Sequence, residues 1–372
     1  MYAYVVRRLL LIPLTLFGIM VVNFVFAQMA PGGPVEQMLA KVQGQAIAAT
    51  ARISGQAAGE TRAAAGPSAL AAAGSSSLAG RYRGAQGLDP AFVREIEKQF
   101  GFDRPPLERF LKMMGDYARF DFGKSFYRDK SVVGLVLEKL PVSLSLGLWS
   151  TLIIYLVSVP LGIAKATRDG TAFDVASSWV VVVGYAVPGF LFAILLVVLF
   201  AGGSYLAIFP LRGLVSDNWH QLPWWRQIGD YFWHLALPIA ALVVGGFAGL
   251  TMLTKNFFLE EITKQYVVTA RAKGLSERRV LYGHVFRNAM LLIVAGFPQA
   301  LVGILFTGAL LVEVIFSLDG IGLLGFEAVV NRDYPVMFGT LYAFGLIGLL
   351  LNLASDLTYH LVDPRIDFEA RT

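Results

Sequence analysis

The 372-residue chain is 56% hydrophobic, only 15% charged and free of cysteine, with a mean hydropathy of +0.61. A soluble domain is about half apolar and about a quarter charged. Charge is therefore depleted far more than apolar content is raised, which excludes an ordinary soluble enzyme and a disordered chain; the absence of cysteine excludes disulfides and thiolate sites.

Four windows without any charge exceed the roughly 20 residues that span a bilayer: Leu9–Val35, Leu140–Ala164, Val175–Leu211 and Tyr231–Thr254. Two more, Asn288–Phe316 and Tyr334–Val362, are interrupted only by Glu313 and Asp356. The pattern predicts an all-α membrane protein with six transmembrane helices. Barrel strands of about 10 residues would alternate in polarity, and these windows do not. The first window reads as an uncleaved anchor, because its apolar run from Leu9 to Ala27 outlasts a signal core of about 7–15 residues.

Lys and Arg in short loops set orientation. Arg7 and Arg8 place the N-terminus in the cytoplasm. The segment from Lys255 to Arg287 carries seven basic residues against three acids, whereas the loops 201–233 and 317–333 are neutral or acidic. Six spans counted from an inside start put the basic segment inside, with both termini cytoplasmic. The expected organisation is a first transmembrane helix (1–30), an outer periplasmic region (31–139), a five-helix core (140–364) with a cytoplasmic loop at 255–287, and a cytoplasmic tail (365–372). With pI 9.3 and net charge +5 explained by orientation, no nucleic acid is implied.

Within the outer region, residues 41–86 form an Ala/Gly/Ser-rich insert expected to be flexible, and residues 88–128 a small helical cap. Asp89, Pro90 and Gly101 suit the cap, first turn and end of one helix, with Phe92, Ile96 and Phe100 on one face. A second helix is expected from Pro106 to about Tyr117, with Leu107, Phe110, Leu111 and Met114 inward. In the fourth span, Ala241, Gly245 and Gly249 have the spacing that lets helices approach closely in lipid.

Two glycine patterns carry no nucleotide-site signal. Phe122-Gly123-Lys124-Ser125 lacks the first glycine of a phosphate loop, position 118 being Ala118. Gly320-Ile321-Gly322-Leu323-Leu324-Gly325 lies between membrane spans and not in an α/β unit, so it reads as a tight turn. The four histidines show no metal-ligand spacing. Glu313 and Asp356 lie near span ends, where an intramembrane acid costs less than at the centre. They are gating or pathway candidates together with the polar Tyr185, Asn352 and Ser355.

The informative stretch is Tyr266-Val267-Val268-Thr269-Ala270-Arg271-Ala272-Lys273-Gly274-Leu275-Ser276. It reads as a helix ended by a left-handed Gly274, then a second helix capped by Ser276 and running to about His284. Ala270, Ala272 and Gly274 offer close contacts flanked by Arg271 and Lys273.

At these residues the chain resembles the inner-membrane permeases of dipeptide/oligopeptide/nickel-type ABC importers. The resemblance rests on Arg7-Arg8-Leu9-Leu10, Pro31-Gly32-Gly33-Pro34, Thr269-Ala270-Arg271-Ala272-Lys273-Gly274-Leu275 with Arg287-Asn288-Ala289, Glu313-Val314-Ile315-Phe316, Asn331-Arg332-Asp333-Tyr334-Pro335 and Val362-Asp363-Pro364-Arg365. It covers the chain except the 41–86 insert. With Leu146-Gly147-Leu148-Trp149-Ser150 at the second span, it is most similar to the permeases of microcin C-type peptide importers. Val268 and Thr269 replace the Glu and first Ala of the family's E-A-A signature, and Leu292 replaces a proline that usually follows.

The resemblance implies a type I ABC importer permease fold for peptide uptake across the bacterial inner membrane. It makes Tyr266, Val267 and Thr269 to Leu275 an ATPase-coupling loop. The chain has no Walker motif, so ATP and Mg would be bound by a separate ATPase subunit, with no cofactor or metal in this chain and no enzyme activity of its own. The implied partners are a second homologous permease forming a heterodimer, one or two ABC ATPase subunits, a periplasmic or lipid-anchored solute-binding protein, the peptide and membrane lipid. An ion-coupled secondary transporter is the rival reading; it predicts broken helices in matching halves and ionisable residues near the midplane.

Overall fold

The computed structural model describes residues 2–29, 33–42, 90–99, 101–201, 205–303 and 310–362. The insert beyond Val42, the Asp89 cap, Phe100 and the tail 365–372 lie outside the described residues. The described chain is almost wholly helical, with one isolated bridge between Lys124 and Ser131. It divides into two compact units. One comprises Met1–Arg8, Lys139–Gly322 and Ile347–Thr372; the other comprises Leu9–Glu138 and Leu323–Leu346.

Among the described residues, five helical runs are long and apolar enough to cross a membrane, and a bent pair supplies up to a sixth. They are α1 (Tyr2–Met29), α5 (Val132–Thr167), the pair α6 (Ala172–Ala186) and α7 (Gly189–Phe200), α8 (Trp224–Ile262), the run Glu277–Gly303, and α15 (Tyr334–Val362). A helix closes its backbone hydrogen bonds within itself, which is why lipid selects it. The third window is not one straight span. Between α6 and α7 the chain turns by 91°. The cause is local: Pro188 forces Val187 into an extended backbone (φ −85°, ψ 117°), which ends α6.

In the second unit, α2 (Pro34–Val42) and α3 (Pro90–Gln99) pack through Val35, Leu39, Val93 and Ile96. Gly101, expected at the end of α3, has a left-handed φ of +71°. The buried face of α3 thus holds Val93 beside Ile96. α4 (Pro106–Tyr117) has the expected bounds but a different inner face. Phe110 and Tyr117 are buried among Met20, Tyr334 and Phe338, while Leu107 and Leu111 are 69% and 58% exposed. Aromatic edges join this layer to the ends of α1 and α15: Phe24 lies 5.1 Å from Phe110 and 5.9 Å from Phe338, centre to centre.

Asp333, just before α15, accepts hydrogen bonds from the Ser125 hydroxyl and, at 3.1 Å, from the Phe126 N–H. Burial pushes its carboxyl above the ordinary carboxylate range, against the opposing pull of these donors.

In the first unit, α8 is the central helix and packs against α6, α7 and the Glu277–Gly303 run. The glycines that permit close packing are not those of the predicted stripe. Gly245 and Gly249 are exposed, and a Cβ on either would meet nothing within 4 Å. Gly162 of α5, by contrast, faces α8 so closely that a Cβ would lie 2.6 Å from Thr254 Cβ and 2.8 Å from the Thr251 carbonyl oxygen. Gly246 faces Ile154 in the same way, at 2.5 Å. Gly162→Val should therefore destabilise the chain by about 1–3 kcal/mol through overpacking, whereas Gly249→Val should change stability by about 0.5 kcal/mol or less. Thermal unfolding of the two variants in one detergent distinguishes them; equal melting temperatures would refute the packing assignment.

Candidate functional site

The basic segment folds as a short helix, a left-handed glycine and the start of the next long helical run. α8 ends at Ile262, and α9 (Gln265–Ala272) follows after a two-residue break. Glu261 closes that break: it accepts a hydrogen bond from Tyr266 Oη at 2.7 Å and pairs with Lys264. The pairing holds the Lys264 ammonium above its ordinary pKa, and burial raises the Tyr266 phenol.

α9 ends as expected, with Gly274 at φ +81°, a conformation that costs little only for glycine. The Leu275 N–H bonds the Ala270 carbonyl at 3.3 Å and the Gly274 N–H that of Arg271 at 2.9 Å, satisfying carbonyls that the helix end leaves open. α10 (Glu277–Val280) begins after Ser276, whose backbone is extended but whose hydroxyl makes no capping bond. The staple across the turn is ionic instead. Arg271 Nε and Nη2 donate to Glu277 Oε1 and Oε2 at 2.9 and 3.0 Å. The second helix does not stop near His284. A π turn at Leu281–Val285 carries it into α11 (Phe286–Ala295) and on to α12 (Phe297–Gly303), so the fifth span begins inside the loop.

Burial sorts the residues of this motif. Val267 and Ala270 turn inward, packing with Ile163, Phe258, Val280 and Val285. Ala270 is therefore small for internal packing and does not form part of the exposed face. That face carries Val268, Thr269, Arg271, Ala272, Lys273 and Gly274, with Leu275 half-buried.

Beneath it lies a charge cluster absent from the sequence-based expectations. Lys165, fully buried at the end of α5, places its ammonium 3.0 Å from Asp174 Oδ1. It also donates to the Asp174 carbonyl at 2.9 Å and to Ser177 and Ser178 at 3.0 and 2.7 Å. Lys255 of α8 donates to both Asp174 carboxylate oxygens at 2.9 and 2.8 Å and sits 2.7 Å from Asp169. Asp174 thus ties three helices together. The available signal was positional: Lys165, Asp174 and Lys255 each stand immediately beside a charge-free window.

Glu313, in α13 (Leu310–Ile315), is completely buried and accepts a 2.8 Å bond from Ser143 Oγ. Ser143 Oγ in turn accepts the Ile321 N–H at 2.8 Å. Ile321 opens α14 (Ile321–Val330), so the glycine pattern is a helix start and not only a turn. A Cβ on Gly320 would overlap the Glu313 carboxylate, and one on Gly322 would lie 3.0 Å from it.

The other candidates separate. Tyr185 is 72% exposed on α6. Asn352, Ser355 and Asp356 converge on a cavity of about 600 Å³, also lined by Arg8, Tyr155 and Gln299. Ser355 donates to the Ala295 carbonyl at 2.6 Å. Asp356 pairs with Arg8 at 2.8 Å and accepts from Tyr4 Oη at 2.9 Å.

These features define a multi-pass membrane protein that exposes a compact basic helix–glycine–helix motif, anchored on its spans, with a cavity of mixed apolar and polar lining among its helices. Residues 158–368, more than half of the chain, match the family of binding-protein-dependent transport system inner membrane components, and the chain belongs to that family. It is 59% identical to the "Peptidoglycan transport system permease protein YejB" of Agrobacterium fabrum, over 100% of both chains. It is 57% identical to the "Inner membrane ABC transporter permease protein YejB" of Escherichia coli O157:H7, again over 100% of both. The "Oligopeptide transport system permease protein AppB" of Bacillus subtilis is 29% identical over 99% of this chain and 100% of that protein. A solved structure of the MetNI methionine ABC transporter aligns with 62% of this chain and 97% of that chain, at 16% identity and a TM-score of 0.47.

Removing one partner of a buried ion pair strands the other charge, at a cost of about 3–5 kcal/mol. Asp174→Asn should accordingly lower the melting temperature strongly, and adding Lys165→Met should recover part of the loss. Thermal unfolding of the single and double variants tests this; a double variant no more stable than Asp174→Asn would show that Lys165 is not the stranded charge.

Proposed function

We propose that this chain is the permease of an ATP-driven importer that moves peptides across the bacterial inner membrane. Family membership favours binding-protein-dependent transport over the ion-coupled rival. The named cargoes of its relatives, peptidoglycan and oligopeptide, share peptide segments, and a microcin C-like peptide is of the same class. A solute-binding protein delivers the cargo, and a separate ATPase subunit binds ATP and Mg. A second, homologous permease completes a heterodimer in a type I importer arrangement. Both termini and the basic motif face the cytoplasm, following the Lys and Arg distribution.

The observation that carries this reading is the two-sidedness of the motif around Gly274. Its inner face is sunk into the packing of α5, α8 and α11, while its outer face is exposed, small and basic. A surface of that kind accepts a groove of another subunit and passes its displacement to the spans. Arg271 and Lys273 orient the docking, and Ala272 and Gly274 permit close approach.

Gly274→Asp tests this role. No atom lies within 4 Å of a Cβ there, so the added carboxylate projects from the docking face without clashing inside the chain. Membrane insertion should be retained and the melting temperature should fall only modestly, in line with the about 1–2 kcal/mol that a side chain costs at a φ of +81°, while co-purification of the ATPase and peptide uptake each fall at least about tenfold. Unchanged co-purification and uptake would move the coupling site elsewhere.

A further inference from the structure

A cavity of about 600 Å³ holds Asp356. Its volume falls within the range of about 300–1,000 Å³ typical of small-molecule sites. Leu250, Leu253, Leu292 and Ile293 give its walls apolar stretches, and Arg8, Tyr155, Gln299, Asn352, Ser355 and Asp356 bring polar groups into it. Two are carboxamides, Asn352 and Gln299, each able to donate to a carbonyl and accept from an N–H, as a peptide main chain requires. The remaining charge is the Arg8–Asp356 pair, which is neutral overall. A neutral pair does not favour an anionic lipid headgroup.

The two members of the pair are unequally placed. The Arg8 side chain is 43% exposed and that of Asp356 only 20%. If the pair opens, the guanidinium can return to water with little loss, as partly exposed pairs do. The carboxylate cannot, and needs a replacement cation. Tyr4 is placed to steady the exchange, since its hydroxyl donates to Asp356 at 2.9 Å while accepting from Arg8 Nε at 3.0 Å. The cation that a peptide carries at neutral pH, whatever its side chains, is its terminal ammonium.

We infer that this cavity is a binding station for the transported peptide, in which Asp356 releases Arg8 and takes the peptide's terminal ammonium while Asn352 and Gln299 hold main-chain amides. The inference rests on the peptide-import reading and adds to it the site and the group recognised. Nonspecific apolar walls then explain tolerance of different side chains, and recognition falls on what all peptides share.

The chain contains no cysteine, so an Asn352→Cys variant places a single thiol in the cavity. The complete transporter carrying this variant is reconstituted in vesicles with its ATPase, second permease and binding protein, and modification by a thiosulfonate is timed during ATP turnover. A transported peptide with a free N-terminus should slow modification at least about fivefold. Adding Asp356→Asn should remove most of that protection, while the protection left should match that given by the N-acetylated peptide to the Asn352→Cys variant alone. Equal modification rates with and without peptide, in vesicles that accumulate the peptide, would overturn the inference and leave peptide import standing. Modification that is slow without peptide and accelerates only when phospholipid is exchanged for detergent would mark a lipid-filled cavity and also overturn it. Vesicles that accumulate no peptide with the unmodified chain would instead remove the import reading on which it rests.

Discussion

The arrangement of the first unit depends on one buried carboxylate. Asp174 lies at the start of α6, three residues after the Thr171 cap, and draws in ammonium groups from the end of α5 and from α8. A fully buried lysine is expensive in any protein and more so near lipid, and it persists only where its donors are satisfied. Lys165 meets that condition through Asp174, Ser177 and Ser178. The turn at residues 168–171 is thereby held against α8. Directly adjoining this clamp, Ile163 and Ala166 of α5 meet Phe258 of α8 and the inward residues of α9. The base of the exposed motif is consequently held on two counts, ionic and apolar.

A second lock works by complementarity between an acid and two glycines. The Glu313 carboxylate fills the space that side chains at positions 320 and 322 would need, and Ser143 bridges it to the first N–H of α14. An unpaired N–H at a helix start is a natural partner for a polar oxygen. The apparent dinucleotide pattern is thus explained by packing: the glycines make room for a side chain of their own chain and not for a phosphate.

Much of this was legible in the sequence, and the failures have physical causes. The spans, the end of α4, the helix-ending glycines at 101 and 274 and the helix–turn–helix all follow from charge-free length, proline and glycine placement. The direction that each apolar face points does not. In water, periodicity identifies the buried side because the other side is polar. In a span both sides are apolar, so Gly245 and Gly249 read as packing residues although Gly162 and Gly246 make the close approaches. Leu107 and Leu111 differ for another reason: α4 is amphipathic and lies outside the spans, but Phe110 and Tyr117 take its buried positions and leave these two leucines exposed. The charge clamp was missed because its members are remote in sequence. Its trace was visible only as the edges of three windows, where isolated charges sit beside lipid-length apolar runs and must find one another.

The continuity of the fifth span gives the exposed motif a mechanical consequence. α10, the π turn and α11 form one run that begins three residues after Gly274. α9 is tied to it by the Arg271–Glu277 pair and by the apolar cluster beneath. The same run continues to Leu292, Ile293, Gly296 and Gln299, which line the cavity containing Asp356. A partner that pulls on α9 therefore acts on a helix that reaches the cavity wall, with the π turn at Leu281–Val285 as the element able to absorb a change of register. On the proposed reading, ATP-driven movement need not travel through a chain of side chains to alter cargo binding. Displacing one helix end changes the cavity at the other, and the cargo biases that movement only as far as it binds the two arrangements differently.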